Sequence, residues 1–196
     1  MKQISIVIPA YNEEHFIEDC LNSVYQQDYP KELLEVIVVD GNSHDRTAEI
    51  IREKFPQVKL LHNPRKIVPV SMNIGIKAAQ GVYIIRLDVH CVYPNDYFSR
   101  LVQFMEAHPE ADNVGGVCKT LPANETARAE AIAIALSSKF GMGNSEFRVG
   151  VKEIKEVDTV PFGCYRREVF DKIGGYDEEL TRNQDNELNS RLKQHG

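Results

Sequence analysis

The sequence predicts an α/β fold, with a largely parallel central sheet flanked by helices. Through the first half of the chain, short apolar runs of β-type residues alternate with segments of helical periodicity, the signature of βαβ units. The 196 residues, 42% hydrophobic and 27% charged, suit one soluble domain around a single core. Neither an internal repeat nor a low-complexity stretch argues for another architecture.

Strands are expected at 4–8, 36–39, 58–61 and 82–87. The first helix follows Asn12, which suits an N-cap, and sets Phe16, Ile17, Cys20, Leu21 and Val24 at helical spacing. The second follows "SHDRT", with Asp45 as its cap candidate and Ala48, Ile51 and Phe55 on one stripe. The third has Pro69 near its start and Gly81 just past its end, the usual asymmetry of helix punctuation. A fourth helix is expected over 96–107, stopped by His108-Pro109. Beyond it, "NVGGVCKTL" reads as a strand, "ETARAEAIAIALSSKF" as a helix and "GMGNSEFRVGVKEIKEV" as a polar, glycine-rich loop with hinges for a lid. "TVPFGCYRREVF" reads as a strand leading into a short helix. "GGYDEEL" is a turn before a final helix closed by Gly196.

Charge and cysteine usage narrow the function classes. A net charge of -6 with no basic run argues against nucleic acid as a partner, because phosphate binding needs clustered Lys and Arg. Cys20, Cys91, Cys118 and Cys164 are widely spaced, with no C-x-x-C pair, so a zinc knuckle or disulfide scaffold is not expected and a reducing cytoplasm fits. "MKQISIVIPAYNEE" meets charges too soon for a signal peptide or a spanning helix. Membrane association is therefore expected only through a region following Gly196.

Ligands of open parallel sheets sit beyond the carboxyl ends of strands. Here those ends read "PAYNEE", "DGNSHDRT" and "LDVHC", and two of the three begin with an acid, Asp40 and Asp88. With Asp45 available as a cap, Asp40 is left free to accept from a base or ribose. Asp88 and His90, two residues apart, share a face while a strand stays extended, so they can approach one divalent ion together. Read alone, a histidine such as His90 is more often an ordinary loop residue than a metal ligand. Two ligands make an incomplete cage, which water and a substrate's phosphates would have to complete.

Five segments, "VIPAYNEE", "VVDGNSHDRT", "RLDVH", "GGYDE" and "NQDNELNSRL", in this order and at these separations, resemble the inverting family 2 glycosyltransferases of GT-A fold. Together they cover nearly the whole chain. "RLDVHC" with "SSKFGMGN" and "VPFGCYRREVF" is similar to the exopolysaccharide branch, the succinoglycan-type glucosyltransferases. The resemblance implies a mixed, mostly parallel sheet, a nucleotide-binding half at 1–110 and an acceptor-binding half at 111–196. It implies that Pro9, Ala10, Tyr11 and Glu13 line the nucleotide pocket, that Asp40 pairs with uracil or ribose, and that Asn73, Arg86 and Asp88 complete the nucleotide-sugar site. Asp88 and His90 stand where the family has an Asp-x-Asp motif, and would hold a divalent metal ion, Mn2+ or Mg2+, on the diphosphate. Family members often carry an arginine just before the asparagine of the third helix. Here Met72 precedes Asn73, so Arg65 or Lys66 is the substitute charge.

In "NQDNEL", Asp185 matches the family's general base, with Gln184 replacing the usual acid before it. Read without the family, Asp185 is equally a cap of the last helix, although it shares a stripe with Leu188 and Leu192 and so faces inward. Glu187 and Arg191 are expected as an i, i+4 pair on a solvated face, worth about 0.3 to 0.5 kcal/mol. His44, His62 and His108 have no partner at ligand spacing and receive no role.

These parts would support a single displacement at the anomeric carbon of a nucleotide sugar, UDP-glucose or a related UDP-hexose by resemblance. The acceptor would be a hydroxyl of a saccharide or lipid-linked saccharide in polysaccharide or glycolipid synthesis. Asp185 would take the acceptor proton and the ion would offset charge on the leaving diphosphate. A retaining route would need a second, nucleophilic carboxylate. Two alternatives stay open: a non-catalytic nucleotide-sugar binding module, and a sugar-1-phosphate nucleotidyltransferase, although "PAYNEEHF" lacks the glycine and arginine of such an enzyme's first loop. A nicotinamide dehydrogenase is excluded, since no G-x-G-x-x-G follows a strand.

Overall fold

The structure, a computed structural model, describes residues 1–122, 124–138, 153–160 and 162–195. Its sheet contains β1 (Ile4–Ala10), β2 (Leu34–Asp40), β3 (Lys59–His62), β4 (Tyr83–Arg86), β5 (Asn113–Val114) and β6 (Cys164–Arg166) in the order β3-β2-β1-β4-β6-β5. β1 runs parallel to β2 and β4, and β2 parallel to β3. β6 is antiparallel to both β4 and β5, so the sheet is mixed and mostly parallel.

Seven α-helices are defined among the described residues, α1 (Ile17–Tyr25), α2 (Thr47–Lys54), α3 (Val68–Ala78), α4 (Tyr97–Ala107), α5 (Ala127–Leu136), α6 (Arg167–Ile173) and α7 (Gln184–His195), with a 3-10 turn at Lys31–Leu33 before β2. Successive strand residues point to opposite faces, and both faces are covered. Ile4, Ile6 and Ile8 join Leu21, Val24, Ile51, Phe98 and Met105 from α1, α2 and α4. Val7, Ile37, Val39 and Ile84 join Met72, Phe170 and Leu188 from α3, α6 and α7. Burial on both sides explains why the strands read as continuous apolar runs, each large side chain contributing about 1.5 to 3 kcal/mol. Among the described residues, no helix is long and apolar enough to cross a membrane.

Several local expectations change. α1 starts at Ile17 without a side-chain cap, because a turn precedes it in which Phe16 and Ile17 both donate to the Glu13 carbonyl. Asn12 adopts φ +56° instead and serves the loop described below. "NVGGVCKTL" contributes only Asn113–Val114 to the sheet. Gly196 and residues 139–152, which include the glycine-rich stretch read as a lid, lie outside the described residues.

Gly81 does not cap α3, whose boundary residue is Ala79. It lets the chain pass close to β1: its N–H donates to Ser5 Oγ at 2.8 Å, and a Cβ there would lie 2.5 Å from the Ser5 nitrogen. Backbone on both sides cannot retreat. Gly81→Ala is expected to destabilise by about 1 to 3 kcal/mol and lower Tm by about 3 to 10 °C, read by thermal melting.

Candidate active site

Parallel pairing brings the carboxyl ends of β1, β2 and β4 to one edge, where Ala10 stands beside Asp40 and Val7 beside Arg86. The loop after β1 is tied to the loop after β2 and to the start of α2 by a set of hydrogen bonds, Arg46 N–H to Glu14 Oε2 (3.2 Å) among them. Asn12 N–H donates to Ser43 Oγ (2.9 Å), Glu13 N–H to Thr47 Oγ1 (2.7 Å) and Glu14 N–H to Asp45 Oδ2 (3.0 Å), while His44 N–H donates to Asn12 Oδ1 (2.8 Å). Left-handed backbone at Asn12 and at Asn42, φ +64°, bends both loops into this contact. The hydrogen bonds join the loops into one rim that carries Tyr11 and Glu13 and follows directly from Pro9 and Ala10 at the end of β1.

The boundary residue of α2 is Arg46, without a side-chain cap, rather than Asp45 as expected; Asp45, one residue earlier, accepts from the Thr47 N–H (3.0 Å) and hydroxyl (2.6 Å). Its partial burial opposes the charge, but the hydrogen bonds from Thr47 and Glu14 prevail and hold its carboxyl below the ordinary value. Asp40 was expected to have no local partner, and the structure corrects that. Its buried carboxylate accepts from Ser43 N–H with both oxygens at 3.3 Å, because the chain doubles back three residues later. These bonds are long, and most of the acceptor capacity of Asp40 remains.

β4 ends at Arg86, so Asp88 and His90 meet through a turn rather than along an extended strand. Asp88 Oδ1 accepts from the His90 N–H and lies 3.0 Å from His90 Nδ1. The other ring nitrogen, Nε2, is 3.0 Å from Glu13 Oε2, and the ring lies 5.0 Å from that of Phe16. Tyr93 clamps the turn, its hydroxyl accepting from Asp88 N–H (2.8 Å) and donating to Asp88 O (3.1 Å). Burial pushes the Glu13 carboxyl above its ordinary value; His90 opposes the shift, while Asp88 and Asp45 add to it.

The imidazole thus stands between two carboxylates, and no three His, Cys, Asp or Glu side chains converge on one point among the described residues. Asp88 and His90 nonetheless combine oxygen and imidazole donors at a half-exposed position, a set that fits a divalent ion whose remaining ligands come from a diphosphate and water.

Across this edge, Asp185 lies in the first turn of α7, on the same stripe as Leu188. Its side chain does not cap the helix. Oδ1 accepts from Arg86 Nη1, and the Tyr176 hydroxyl lies 3.4 Å from the same oxygen. The Arg86 guanidinium is nearly buried, 5.5 Å from the ring centroid of Phe162 and 5.8 Å from that of Tyr176. Burial opposes its charge, but Tyr176 and Asp185 outweigh that and hold the guanidinium above its ordinary value.

Asn73 supports this side. Its carboxamide accepts from Tyr176 N–H (2.7 Å) and donates to Tyr176 O (2.8 Å) and Glu178 Oε1 (3.0 Å), so it organises the "GGYDEE" turn from α3. Asn73→Ala is expected to cost about 1 to 3 kcal/mol by leaving the Tyr176 backbone unpaired, seen as an earlier thermal or urea midpoint.

Met72 points into the core, which removes it as a phosphate contact. Arg65 pairs with Glu178, whereas Lys66, at φ +63°, lies 5.6 Å over the Tyr11 ring and 3.3 Å from His44. His44, given no role from sequence, therefore belongs to the rim. Glu187 and Arg191 do pair, but not on a solvated face: Arg191 also donates to the carbonyls of Ile173 and Gly175, pinning the turn to α7.

The profile of "Glycosyl transferase family 2" matches residues 5–174. The chain belongs to glycosyl transferase family 2. It is 31% identical over its whole length to a protein of Methanococcus voltae named "Dolichyl N-acetyl-alpha-D-glucosaminyl phosphate 3-beta-D-2,3-diacetamido-2,3-dideoxy-beta-D-glucuronosyltransferase", covering 63% of that protein. It is 35% identical over 97% of its length to "Succinoglycan biosynthesis protein ExoA" of Rhizobium meliloti, covering 58% of it. The chain thus spans about three fifths of the length of these two relatives. Among solved structures, Staphylococcus aureus TarS 1-349 in complex with UDP superposes with a TM-score of 0.75 at 21% identity, over 97% of this chain and 54% of that one. The mannosyltransferase PcManGT of Pyrobaculum calidifontis, in complex with GDP-Man and Mn2+, gives 0.71 at 22%, over 97% and 52%. The fold is GT-A.

Within this family 2 domain, the strand-end acids, the Asp-x-His turn and Asp185 were legible as candidates. Tyr176 and Phe16 were not assigned to the site, although "GGYDE" marked the first of them. The Phe16–His90 contact joins segments remote in sequence, which no local pattern announces, whereas Tyr176 reaches Asp185 across the turn that leads into α7.

Proposed function

We propose that the protein transfers a sugar, with inversion, from a nucleotide sugar to an acceptor hydroxyl, using Asp185 as general base and a divalent ion on the donor diphosphate. The observation that carries this reading is Asp185 itself: a helix-borne carboxylate brought by Arg86 to the edge where Asp40 ends β2 and the Asp88–His90 turn follows β4. Tyr11, Glu13 and Asp40 take the nucleoside, and Asp88 and His90 take the ion, which would supply Lewis-acid stabilisation of the departing diphosphate. As the acceptor oxygen attacks the anomeric carbon, its proton passes to Asp185 and the electron pair of the broken C–O bond stays on the diphosphate.

UDP-hexoses are the first choice of donor. Supporting them are the TarS complexes with UDP and UDP-GlcNAc; the neighbour holding GDP-Man and Mn2+ supports the ion and makes GDP-mannose the necessary comparison. The names of the two relatives support a saccharide or lipid-linked saccharide acceptor. A lipid-linked acceptor would bring the protein to the cytoplasmic face of a membrane.

The test is incubation of the protein with labelled UDP-glucose, UDP-GlcNAc and GDP-mannose in Mn2+, with and without candidate acceptors. Slow hydrolysis or transfer is the expected result. Tight nucleotide binding with no turnover under any condition would instead identify a binding module.

A further inference from the structure

We infer that Arg86 is a positioning residue for Asp185, tying the base to the strand that carries the donor site rather than touching the donor itself. This rests on Asp185 acting as the base. The origin of the side chain is rigid: Arg86 N–H donates to Gly163 O at 3.0 Å, and the next residue, Leu87, donates to Val7 O at 3.0 Å, so this part of β4 is fastened on both sides. Asp88, the expected donor contact, follows two residues later. One short segment therefore sets both the donor clamp and the base.

The guanidinium lies over the rings of Phe162 and Tyr176, is nearly buried, and donates to Asp185 through Nη1. Among the described residues its buried Nε has no hydrogen-bond partner, so the side chain holds this pose through Nη1, the Tyr176 hydroxyl and the two rings. Among the described residues, both hydrogen bonds to the Asp185 carboxylate, from Arg86 and Tyr176, fall on Oδ1. That arrangement leaves Oδ2 to receive the acceptor proton. The Tyr176 hydroxyl remains a donor at neutral pH, since burial pushes it up to about 12 even against the pull of Arg86. A planar, directional fork is needed for such a pose. Lysine has the charge but not the geometry.

The variants Arg86→Gln, Arg86→Lys, Tyr176→Phe, Asp185→Asn and the Arg86→Gln/Asp185→Asn double variant test this with UDP-glucose turnover, UDP affinity by calorimetry and thermal melts. Arg86→Gln and Arg86→Lys are expected to lower kcat at least tenfold with donor KM and UDP affinity unchanged, and Tyr176→Phe to lower kcat by a smaller factor. The double variant should be no slower than Asp185→Asn alone. If Arg86→Gln fails to fold, the lysine and phenylalanine variants carry the test. Weaker UDP binding in the arginine variants at unchanged kcat would make Arg86 a donor contact and overturn the inference. A further loss in the double variant beyond Asp185→Asn would also overturn it. Full activity in Arg86→Lys and Tyr176→Phe, with Asp185→Asn inactive, would sink the inference alone, whereas full activity in Asp185→Asn would remove the base assignment beneath it.

Discussion

Replacing Asp185 with asparagine is expected to leave nucleotide binding unchanged and to slow sugar transfer by about 10²- to 10⁴-fold, the usual contribution of a general base. The substitution keeps the shape and an oxygen that can accept from Arg86, so the fold should survive. It removes the negative charge facing a nearly buried guanidinium, however, and a hydrogen bond to a charged group is worth about 1.5 to 3 kcal/mol. A lowered Tm should therefore accompany the loss of activity, and rates should be measured well below it. UDP affinity is the control that separates lost chemistry from lost structure, because the carboxylate contacts recorded for Asp185 go to Arg86 and Tyr176 rather than to the rim that would take the nucleoside. Wild-type turnover in this variant would end the assignment of Asp185 as base.

The second large effect is expected at His90. His90→Ala should weaken UDP binding in Mn2+ by at least tenfold while leaving metal-free binding alone, since under the proposed function it would remove one of two protein ligands of an ion whose remaining ligands would come from the diphosphate and water. The ring is half exposed, so solvent screens its pair with Asp88 and, from the imidazole side, its pair with the more buried Glu13, and both contribute little to stability. Thermal melts should accordingly move little. His90→Asp would restore a pair of carboxylates and should keep metal-dependent binding while shifting preference from Mn2+ toward Mg2+, because oxygen ligands suit the harder ion. Calorimetric UDP titrations with Mn2+, with Mg2+ and with EDTA measure all three expectations. An unchanged EDTA response in His90→Ala would show that the pair does not hold an ion.

The fold was legible to the extent that each element is local. Ile4, Ile6 and Ile8 on one face and Val7 on the other made β1 a continuous apolar run, and the same double burial revealed β2 and β4. The later strands were harder. β5 is two residues long, and its extension through "GGVCKTL" was read from apolar character that the sheet does not use. Gly81 was misread because a glycine after a helix looks the same whether it caps the helix or admits a neighbouring strand; only the position of Ser5 distinguishes the two.

The candidate site divides in the same way. Asp40, Asp88, His90 and Asp185 could be nominated because strand ends and helix starts are visible in residue order, and family resemblance ordered them. Their present partners could not be nominated. The Asp88–His90 contact depends on β4 stopping at Arg86 and turning, and Asp40 proved to have a local donor in Ser43. Asn73, expected beside the nucleotide, organises the turn that carries Tyr176.

The sequence by itself determined the α/β class, the family and the identity of the strand-end acids, because periodicity, turn chemistry and motif order are properties of neighbouring residues. Tertiary structure alone decided that Arg86 meets Asp185, that His90 stands between Glu13 and Asp88, and that Asn73 binds backbone. The physical reason is separation: Arg86 and Asp185 lie 99 positions apart, and Asn73 and Tyr176 lie 103 apart. Such pairs follow from which strands close the sheet and which helices pack on it, and a charge or an amide carries no mark of its distant partner until the core has formed.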